Sequence, residues 1–329
     1  MKHLLKLSAL TPAELTRILD VADQLKAQQA APVEGAEEIE ALIAKRLEAK
    51  RAKNWAEGGT PPLLAGKSVA LMFSKASTRT RASFAVGVGQ LGGMGHYMNA
   101  ATELQSVGGE PLRDTARALG RYYDCVVWRT YRQADLEEFA SYAGVPVING
   151  MTDYAHPCQV LADLMTIRER LGSLEGRKLC FVGDGGSMAN SLIVGGLLAG
   201  MQVCCVCPPG YRPAADVILF AQQYPSFQLL TDPVQGLRDA DAAVTAAWSC
   251  APGTEESERR RRDFAGYQLT DALLQNAKPA CLVLHSLPAH RGEEISAAVF
   301  EQHAGEIFDE AENRLHVQKA ILSILLAGQ

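Results

Sequence analysis

A short segment rich in hydroxyl and arginine side chains follows the first strong apolar run of the chain. Ser77–Arg81 reads Ser-Thr-Arg-Thr-Arg, comes soon after an apolar run that ends at Phe73, and opens a helical pattern. Free backbone N–H groups and the helix dipole make a helix N-terminus an anion site, and an arginine can grip two phosphate oxygens at once. Such a concentration of donors exceeds what a helix cap needs, so the pattern predicts a phosphate site.

Three further polar residues lie where an apolar run ends or a helical pattern begins. Arg129 ends one apolar run, and His156 precedes a proline, with Gln159 one helical turn later. Alone, the arginine is as readily a surface charge, and a histidine before proline is usually a turn or surface residue. Joined to Gln159 and the further motifs described below, the histidine is favoured as a functional residue.

The apolar pattern from Lys67 onward predicts the elements that position these residues. Strand-like runs alternate with longer amphipathic segments, which is typical of parallel sheets in an α/β architecture. We predict two domains, 1–155 and 156–311, each with a parallel sheet flanked by helices, and a C-terminal helix, 312–329, that packs back on the first. A charged helix is also predicted near 36–55. Ligands bind beyond the carboxyl ends of such strands, where Ser77–Arg81 falls.

The properties of the whole chain are those of an ordinary globular protein. Its 329 residues are 47% hydrophobic and carry a formal net charge of -5, so no global charge attracts nucleic acid or an anionic membrane. No apolar run is long enough for a membrane span, no signal-peptide pattern is visible, and the 8 cysteines form no CxxC pair. We therefore predict a reduced, cytoplasmic protein without a metal, nucleic-acid or membrane partner.

Two other patterns have simpler explanations than a binding site. Arg259–Arg262 is a basic run, but acidic residues flank it on both sides, which is typical of a solvated helix face. Gly183–Gly186 has glycines like those of a dinucleotide-binding turn, yet the GxGxxG pattern is incomplete, so a plain strand-to-helix turn is sufficient.

Motifs in order along nearly the whole chain resemble those of the aspartate and ornithine carbamoyltransferase family. Ser77–Arg81 is similar to its phosphate-binding signature, and residues 156–163 are similar to its His-Pro-x-Gln-x-x-x-Asp motif. Residues 285–292 resemble the His-Cys-Leu-Pro loop of the ornithine branch, and residues 312–316 resemble that branch's C-terminal helix signature. Gln105, with the Gly-Glu pair at 109–110, matches its loop between early elements. The resemblance implies the family's two-domain α/β fold.

The resemblance also implies a reaction and a role for each matching residue. A neutral amine would attack carbamoyl phosphate without a metal or cofactor, and a homotrimer would share its sites through Gln105 of a neighbouring subunit. His156 would donate to the carbonyl oxygen, and the Leu287 carbonyl and Gln159 would accept from the carbamoyl amide. The implied carbamoyl phosphate ligands are Ser77, Thr78, Arg79, Thr80, Gln105, Arg129, His156, Gln159, Leu287 and Arg314. The implied catalytic residues are Arg129, His156, Gln159 and Ser286.

At the amine end the chain departs from the family pattern. Residues 183–187 read Gly-Asp-Gly-Gly-Ser where the ornithine branch usually has Gly-Asp-x-Asn-Asn, so an asparagine for the amino-acid carboxylate is missing. Ala246 stands where an aspartate would pair with the α-ammonium, and Ser286 replaces the cysteine of the His-Cys-Leu-Pro loop. The remaining candidates for amine binding are Ser187, Ser249, Cys250, Ser286 and Leu287.

Three interpretations follow for the acceptor. The first is L-ornithine, bound in a rebuilt pocket and converted to citrulline with release of phosphate, which the ornithine-type motifs at 285–292 and 312–316 support. The second is another amine such as putrescine, which lacks the head group whose partners are lost. The third is a non-catalytic paralogue that binds carbamoyl phosphate or a partner protein, which the intact phosphate motif opposes.

Overall fold

In the described part of the chain, two parallel sheets of four and five strands form the framework. The computed structural model describes residues 1–29, 62–104, 109–248 and 254–328. Helices pack against both sheets, so the α/β class predicted from the alternating pattern is confirmed. The predicted charged helix near 36–55 lies outside the described residues, as do Gln105, Ser249 and Cys250.

The first sheet collects four strands from the N-terminal half. Its elements and the helix before it are α1 (Pro12–Gln29), β1 (Ser68–Phe73), α2 (Thr78–Gln90), β2 (Met94–Asn99), α3 (Leu112–Tyr122), β3 (Cys125–Arg129), α4 (Gln133–Ala143) and β4 (Val147–Asn149). The strand order is β2-β1-β3-β4, all parallel. Phe73 pairs with Arg129, so the ends of β1 and β3 lie side by side. Ligand sites in open parallel sheets form at such a point, where the strand order reverses.

The second sheet has five parallel strands in the order β7-β6-β5-β8-β9. Its elements, with the long helix that precedes them, are α5 (Pro157–Leu171), β5 (Lys178–Val182), α6 (Ser187–Leu198), β6 (Gln202–Val206), α7 (Ala215–Ala221), β7 (Phe227–Leu230), α8 (Pro233–Leu237), β8 (Ala242–Thr245), α9 (Glu255–Asp263), α10 (Asp271–Leu274), β9 (Leu282–His285) and α11 (Ala297–Gln302). The order reverses between β5 and β8. The turns after β5 and β8 therefore meet at one edge.

The last helix, α12 (Ala304–Ala327), packs against both halves of the chain. It contacts α1, α2 and α5 and also reaches β9 of the second sheet. It begins well before residue 312, because its first turns are held by buried contacts: Ile307 lies in the core, and Glu306 and Glu310 accept backbone N–H groups of β9. The domain boundary between 155 and 156 stays a prediction. No helix in the described part of the chain has the length and hydropathy of a membrane span.

Gly120 allows α3 and α4 to pack closely. A Cβ atom at Gly120 would lie 1.7 Å from the backbone oxygen of Ala143, where α4 ends. We therefore expect Gly120→Ala to lower the free energy of unfolding by about 1 to 3 kcal/mol, as overpacking usually does. The test is urea denaturation, with Gly305→Ala as control. That helical glycine has open space around its Cβ position, so its replacement should leave the midpoint unchanged or higher. An unchanged midpoint for Gly120→Ala would contradict the described packing.

Candidate active site

The Ser77–Arg81 segment begins a helix just beyond the carboxyl end of a strand. β1 ends at Phe73, α2 begins at Thr78, and Ser77 is the residue before its first turn. Ser77 has an extended backbone, and its hydroxyl makes no capping hydrogen bond to α2, so the first N–H groups of the helix are left for another acceptor. The helix dipole adds positive potential at the same point. The local geometry is that of a helix N-terminus open to an anion.

Most of the candidate residues in the described ranges line one cleft of about 430 Å³. The first sheet contributes the loop after β1 and the end of β3, and the second contributes the turns after β5, β8 and β9. The candidates that line the cleft are Ser77, Thr78, Arg79, Thr80, Arg129, His156, Ser187, Ser286, Leu287 and Arg314. Gln159 is buried behind the cleft and is not among its lining residues. The individual roles of these residues stay predictions.

Three arginines from three separate elements converge on the phosphate end of the cleft. Arg79 comes from α2, Arg129 from the end of β3 and Arg314 from α12. Burial, together with the like charges of Arg129 and Arg79, lowers the pKa of Arg314 to about 10. Burial and the Arg79 charge also lower the pKa of Arg129. Arg314 donates to Thr80 Oγ1, but no acceptor among the described residues reaches the buried Nε of Arg129 or of Arg314.

Such a cluster of desolvated cations is unfavourable unless an anion joins it. Among the described lining residues the carboxylate is that of Asp184, which is already paired with Arg260 at 2.6 Å. Lys75 lies close enough to Arg129 for the arginine charge to lower the lysine pKa, after the larger effect of burial. The cleft therefore presents an excess of positive charge to a bound ligand, which fits a phosphate group.

His156 lies beside the arginines as a neutral imidazole. It is the residue before α5, and its backbone N–H donates to Ser191 Oγ at 2.8 Å. Burial, followed by the charges of Arg314, Arg129 and Lys75, lowers the pKa of His156 well below its ordinary value. Its Nδ1 atom is buried and has no partner among the described residues. A neutral ring still carries one N–H, which is suitable for donating to a carbonyl oxygen.

The loop after β9 holds Leu287 in a left-handed backbone conformation, with φ of 52°. That conformation is unusual for leucine, and it is supported by a hydrogen bond from the Leu287 N–H to His285 Nδ1 at 2.9 Å. Because Nδ1 accepts, the ring proton of His285 lies on Nε2, which donates to Glu294 Oε1 at 2.9 Å. Leu287 and Ser286 both line the cleft. The buried histidine thus holds the backbone N–H of Leu287, the residue whose carbonyl is a candidate acceptor.

Small side chains dominate the opposite end of the cleft. Ser187 lies next to Gly186, and Ala246 and Ala247 follow β8. Asp184 adds a carboxylate there, held by Arg260. The sequence lacks the usual partners of an amino-acid head group. In the described part of this end, small and mostly uncharged side chains line the cleft instead.

Asp184, Met151 and Met188 also line the cleft but were not among the candidates. Asp184 had a usable signal, since it is the first polar residue after an apolar strand in the middle of the sheet. Met151 follows β4 and has a φ of 118°. No local sequence pattern indicates that conformation. Met188 lies in the first turn of α6, where the apolar sequence gives no sign of exposure to a ligand.

Comparison with known proteins identifies the family. Residues 2–169 match the family model "Aspartate/ornithine carbamoyltransferase, carbamoyl-P binding domain", and residues 175–325 match "Aspartate/ornithine carbamoyltransferase, Asp/Orn binding domain". The chain is 47% identical over 292 residues to an ornithine carbamoyltransferase of Geobacter sulfurreducens, with 88% of this chain and 95% of that protein covered. An ornithine carbamoyltransferase of Thermococcus kodakarensis is 44% identical over 298 residues, covering 89% of this chain and 93% of the relative.

A solved structure extends the likeness to three dimensions. The ornithine carbamoyltransferase from Pyrococcus furiosus superposes with a TM-score of 0.86 at 40% sequence identity, covering 100% of this chain and 98% of that one. Both halves of the chain match the family models, and the fold matches that of a solved relative. The protein is a carbamoyltransferase and belongs to the aspartate/ornithine carbamoyltransferase family.

Proposed function

We propose that the protein transfers the carbamoyl group of carbamoyl phosphate to the side-chain amine of L-ornithine, giving citrulline and phosphate. The observation that carries the proposal is the convergence of Arg79, Arg129 and Arg314 on an open helix N-terminus beside the neutral imidazole of His156. The choice of ornithine is supported by the names of the relatives. This reaction would place the protein in arginine metabolism. Its seven described cysteines are buried free thiols, which fits the proposed cytoplasmic location.

In the proposed mechanism the phosphate binds at the start of α2, with Arg79, Arg129 and Arg314 as its cations. His156 and Arg129 donate to the carbamoyl carbonyl oxygen, where negative charge develops as the amine attacks the carbon. The nitrogen–carbon bond forms, the tetrahedral intermediate collapses, and the carbon–oxygen bond to phosphate breaks as the proton of the amine passes to the leaving phosphate. Because the cleft is positively charged, it favours the neutral, nucleophilic form of the incoming amine.

The carbamoyl NH2 group needs acceptors that distinguish it from the carbonyl oxygen. We assign that role to Gln159 Oε1 and the Leu287 carbonyl. Gln159 Oε1 is buried without a hydrogen-bond partner among the described residues, which supports the assignment. Gln159 lies three residues after His156 at the start of α5, a spacing that puts both side chains on one face of the helix. Holding both ends of the carbamoyl group presents its carbon to the amine in one orientation.

We further propose that the active unit is a homotrimer in which Gln105 of a neighbouring subunit completes the phosphate site. A second hollow, of about 830 Å³, adjoins the cleft and shares Ser77 and Thr78 with it. Its wall includes Arg81 and Tyr97. Tyr97 lies on the exposed edge strand β2 and faces solvent. Such a surface beside the site is suitable for a neighbouring subunit.

The assembly is tested by sedimentation equilibrium. We expect a mass about three times the 35.4 kDa of the chain. A protein that stays monomeric at micromolar concentration, yet turns over normally, would contradict the shared site. Replacing Gln105 with alanine should weaken carbamoyl phosphate binding in the trimer without dissociating it.

A different amine is the second candidate acceptor. Gly186, Ala246 and Ala247 line the amine end, where the ornithine branch of the family usually has polar partners for the amino-acid head group. Losing one charged partner in a buried site typically costs about 2 to 5 kcal/mol. A diamine such as putrescine has no carboxylate, and its second ammonium group could approach Asp184.

The acceptor is tested by offering purified protein carbamoyl phosphate with ornithine, putrescine, lysine, N-acylated ornithines or aspartate, and measuring the carbamoylated product. We expect ornithine to give the highest kcat/KM. Turnover confined to putrescine would establish the second candidate instead. Binding of carbamoyl phosphate without transfer to any amine would support the non-catalytic paralogue.

A further inference from the structure

Two carboxyl groups hold the amide of Gln159 behind the cleft. Gln159 Nε2 donates to Asp163 Oδ1 at 2.9 Å and to Glu310 Oε1 at 2.6 Å, so both amide hydrogens are used. All three side chains are buried. Since the Asp163 and Glu310 oxygens accept, the nitrogen end of the amide must face them. The opposite end, Oε1, is therefore fixed as the acceptor left for a ligand.

Glu310 is also connected to the other candidate acceptor. Its Oε2 accepts the backbone N–H of His285 at 2.8 Å. The ring of the same histidine accepts the N–H of Leu287, the residue that carries the second candidate carbonyl. Glu310 thus contacts Gln159 directly and Leu287 through one residue. It lies on the rigid helix α12 rather than on a loop, so its position is well defined.

The charge of the carboxyl pair is compatible with this arrangement. Burial raises the pKa of Glu310 well above its ordinary value, and the neighbouring Asp163 carboxylate adds to that rise. Burial raises the pKa of Asp163 to about 6. Burial and the mutual repulsion of the pair disfavour two full negative charges, whereas the nearby charge of Arg314 favours the ionised form of each group. Arg314 therefore offsets part of the negative charge that the pair carries behind the carbamoyl group.

We propose that Glu310 is the positioning residue that fixes both acceptors of the carbamoyl NH2 group, Gln159 Oε1 and the Leu287 carbonyl oxygen. The inference rests on the proposed function, since it takes carbamoyl phosphate as the ligand. A carbamoyl group differs from an acetyl group by an NH2 in place of a methyl. Two N–H donors need two acceptors at set positions, whereas a methyl needs none. Glu310 would thereby govern which acyl phosphate the cleft accepts.

The test compares the dissociation constants of carbamoyl phosphate, acetyl phosphate and inorganic phosphate, measured by calorimetry on the full chain. The variant is Glu310→Gln, which keeps the volume but offers one acceptor oxygen to two donors, Gln159 Nε2 and the His285 N–H. We expect its preference for carbamoyl over acetyl phosphate to fall by about tenfold, the equivalent of about 1.4 kcal/mol. The affinity for inorganic phosphate should stay within about twofold of the wild type, because the arginines are untouched.

Asn313→Ala is the matched control. Asn313 is a buried residue of the same helix whose Nδ2 donates to Thr166 at 2.9 Å and Glu169 at 2.8 Å, and its removal should lower stability but keep the ligand preference. If Glu310→Gln lowers the affinity for all three ligands equally, Glu310 has only a structural role. The same holds if Asn313→Ala loses the preference for carbamoyl phosphate to the same extent. An unchanged preference in Glu310→Gln, with normal citrulline formation, would overturn the positioning role alone. A wild-type protein that binds acetyl and carbamoyl phosphate equally, yet forms citrulline, would overturn the positioning role and leave the proposed function intact.

Discussion

Replacing Arg79 with alanine is expected to lower kcat/KM for carbamoyl transfer by about three orders of magnitude without unfolding the protein. Removing one charged partner from a buried pair typically costs about 2 to 5 kcal/mol, and about 4 kcal/mol corresponds to a thousandfold loss. The Arg79 guanidinium forms no ion pair with the described residues, so no protein contact of that kind is lost. The variant also removes a like charge near Arg129 and Arg314.

These two effects give Arg79→Ala a distinctive thermal signature. Without ligand its Tm should equal or exceed that of the wild type, whereas the rise in Tm that phosphate or carbamoyl phosphate induces should disappear. The control is Arg117→Ala, which removes an exposed arginine paired with Asp114 outside the cleft and should change neither quantity. Activity of Arg79→Ala within a few-fold of the wild type would rule out the phosphate role.

Replacing His156 with alanine is expected to lower kcat about a hundredfold or more, with a smaller change in the KM for carbamoyl phosphate. A donor to a developing oxyanion acts mainly in the transition state, so its loss appears in kcat. The control is His316→Ala. His316 is likewise buried, with its pKa lowered chiefly by burial, but it does not line the cleft. A similar kcat for both variants would remove His156 from the reaction.

The lowered pKa of His156 also predicts how stability depends on pH. Below the unfolded-state pKa of about 6.5, His156 is protonated in the unfolded chain, whereas burial keeps it neutral in the folded protein. The stability that the neutral ring contributes is therefore present above that pH and lost as the pH falls. Between pH 7.5 and pH 5.5, urea denaturation should show a loss that is smaller in His156→Ala than in the wild type by about 1 kcal/mol. Equal losses would show that the folded protein protonates His156 as readily as the unfolded chain.

The parts of the site that were predictable from sequence are those with local causes. Ser77–Arg81 carries its own signal, because an anion site at a helix N-terminus needs only a strand end, hydroxyls and arginines close together in the chain. Arg314 lies more than two hundred residues later, and only the family resemblance indicated it. Its contact with Thr80 depends on how α12 packs, which local pattern does not specify.

The residues that were missed depend on tertiary placement. Asp184 joins the cleft because β5 lies next to β8, and strand order is a property of the whole sheet. The early start of α12 has the same kind of cause. In the sequence Glu306 and Glu310 are typical of solvent-facing charges, but in the fold they accept backbone N–H groups of β9. Polar side chains that bind backbone groups across the fold leave no hydrophobic period to detect.

The position of α12 has a consequence for the order in which the enzyme becomes active during synthesis. Glu306, Glu310 and Arg314 lie four residues apart on one face of that helix, the first two bound to β9 and the last to Thr80 of α2. Both sheets precede this helix in the chain, so they can emerge from the ribosome before it does. At that stage the phosphate site still lacks its third arginine. A nascent chain should therefore stay inactive until its final helix emerges, and premature termination before residue 314 should yield a protein that cannot assemble its catalytic cleft.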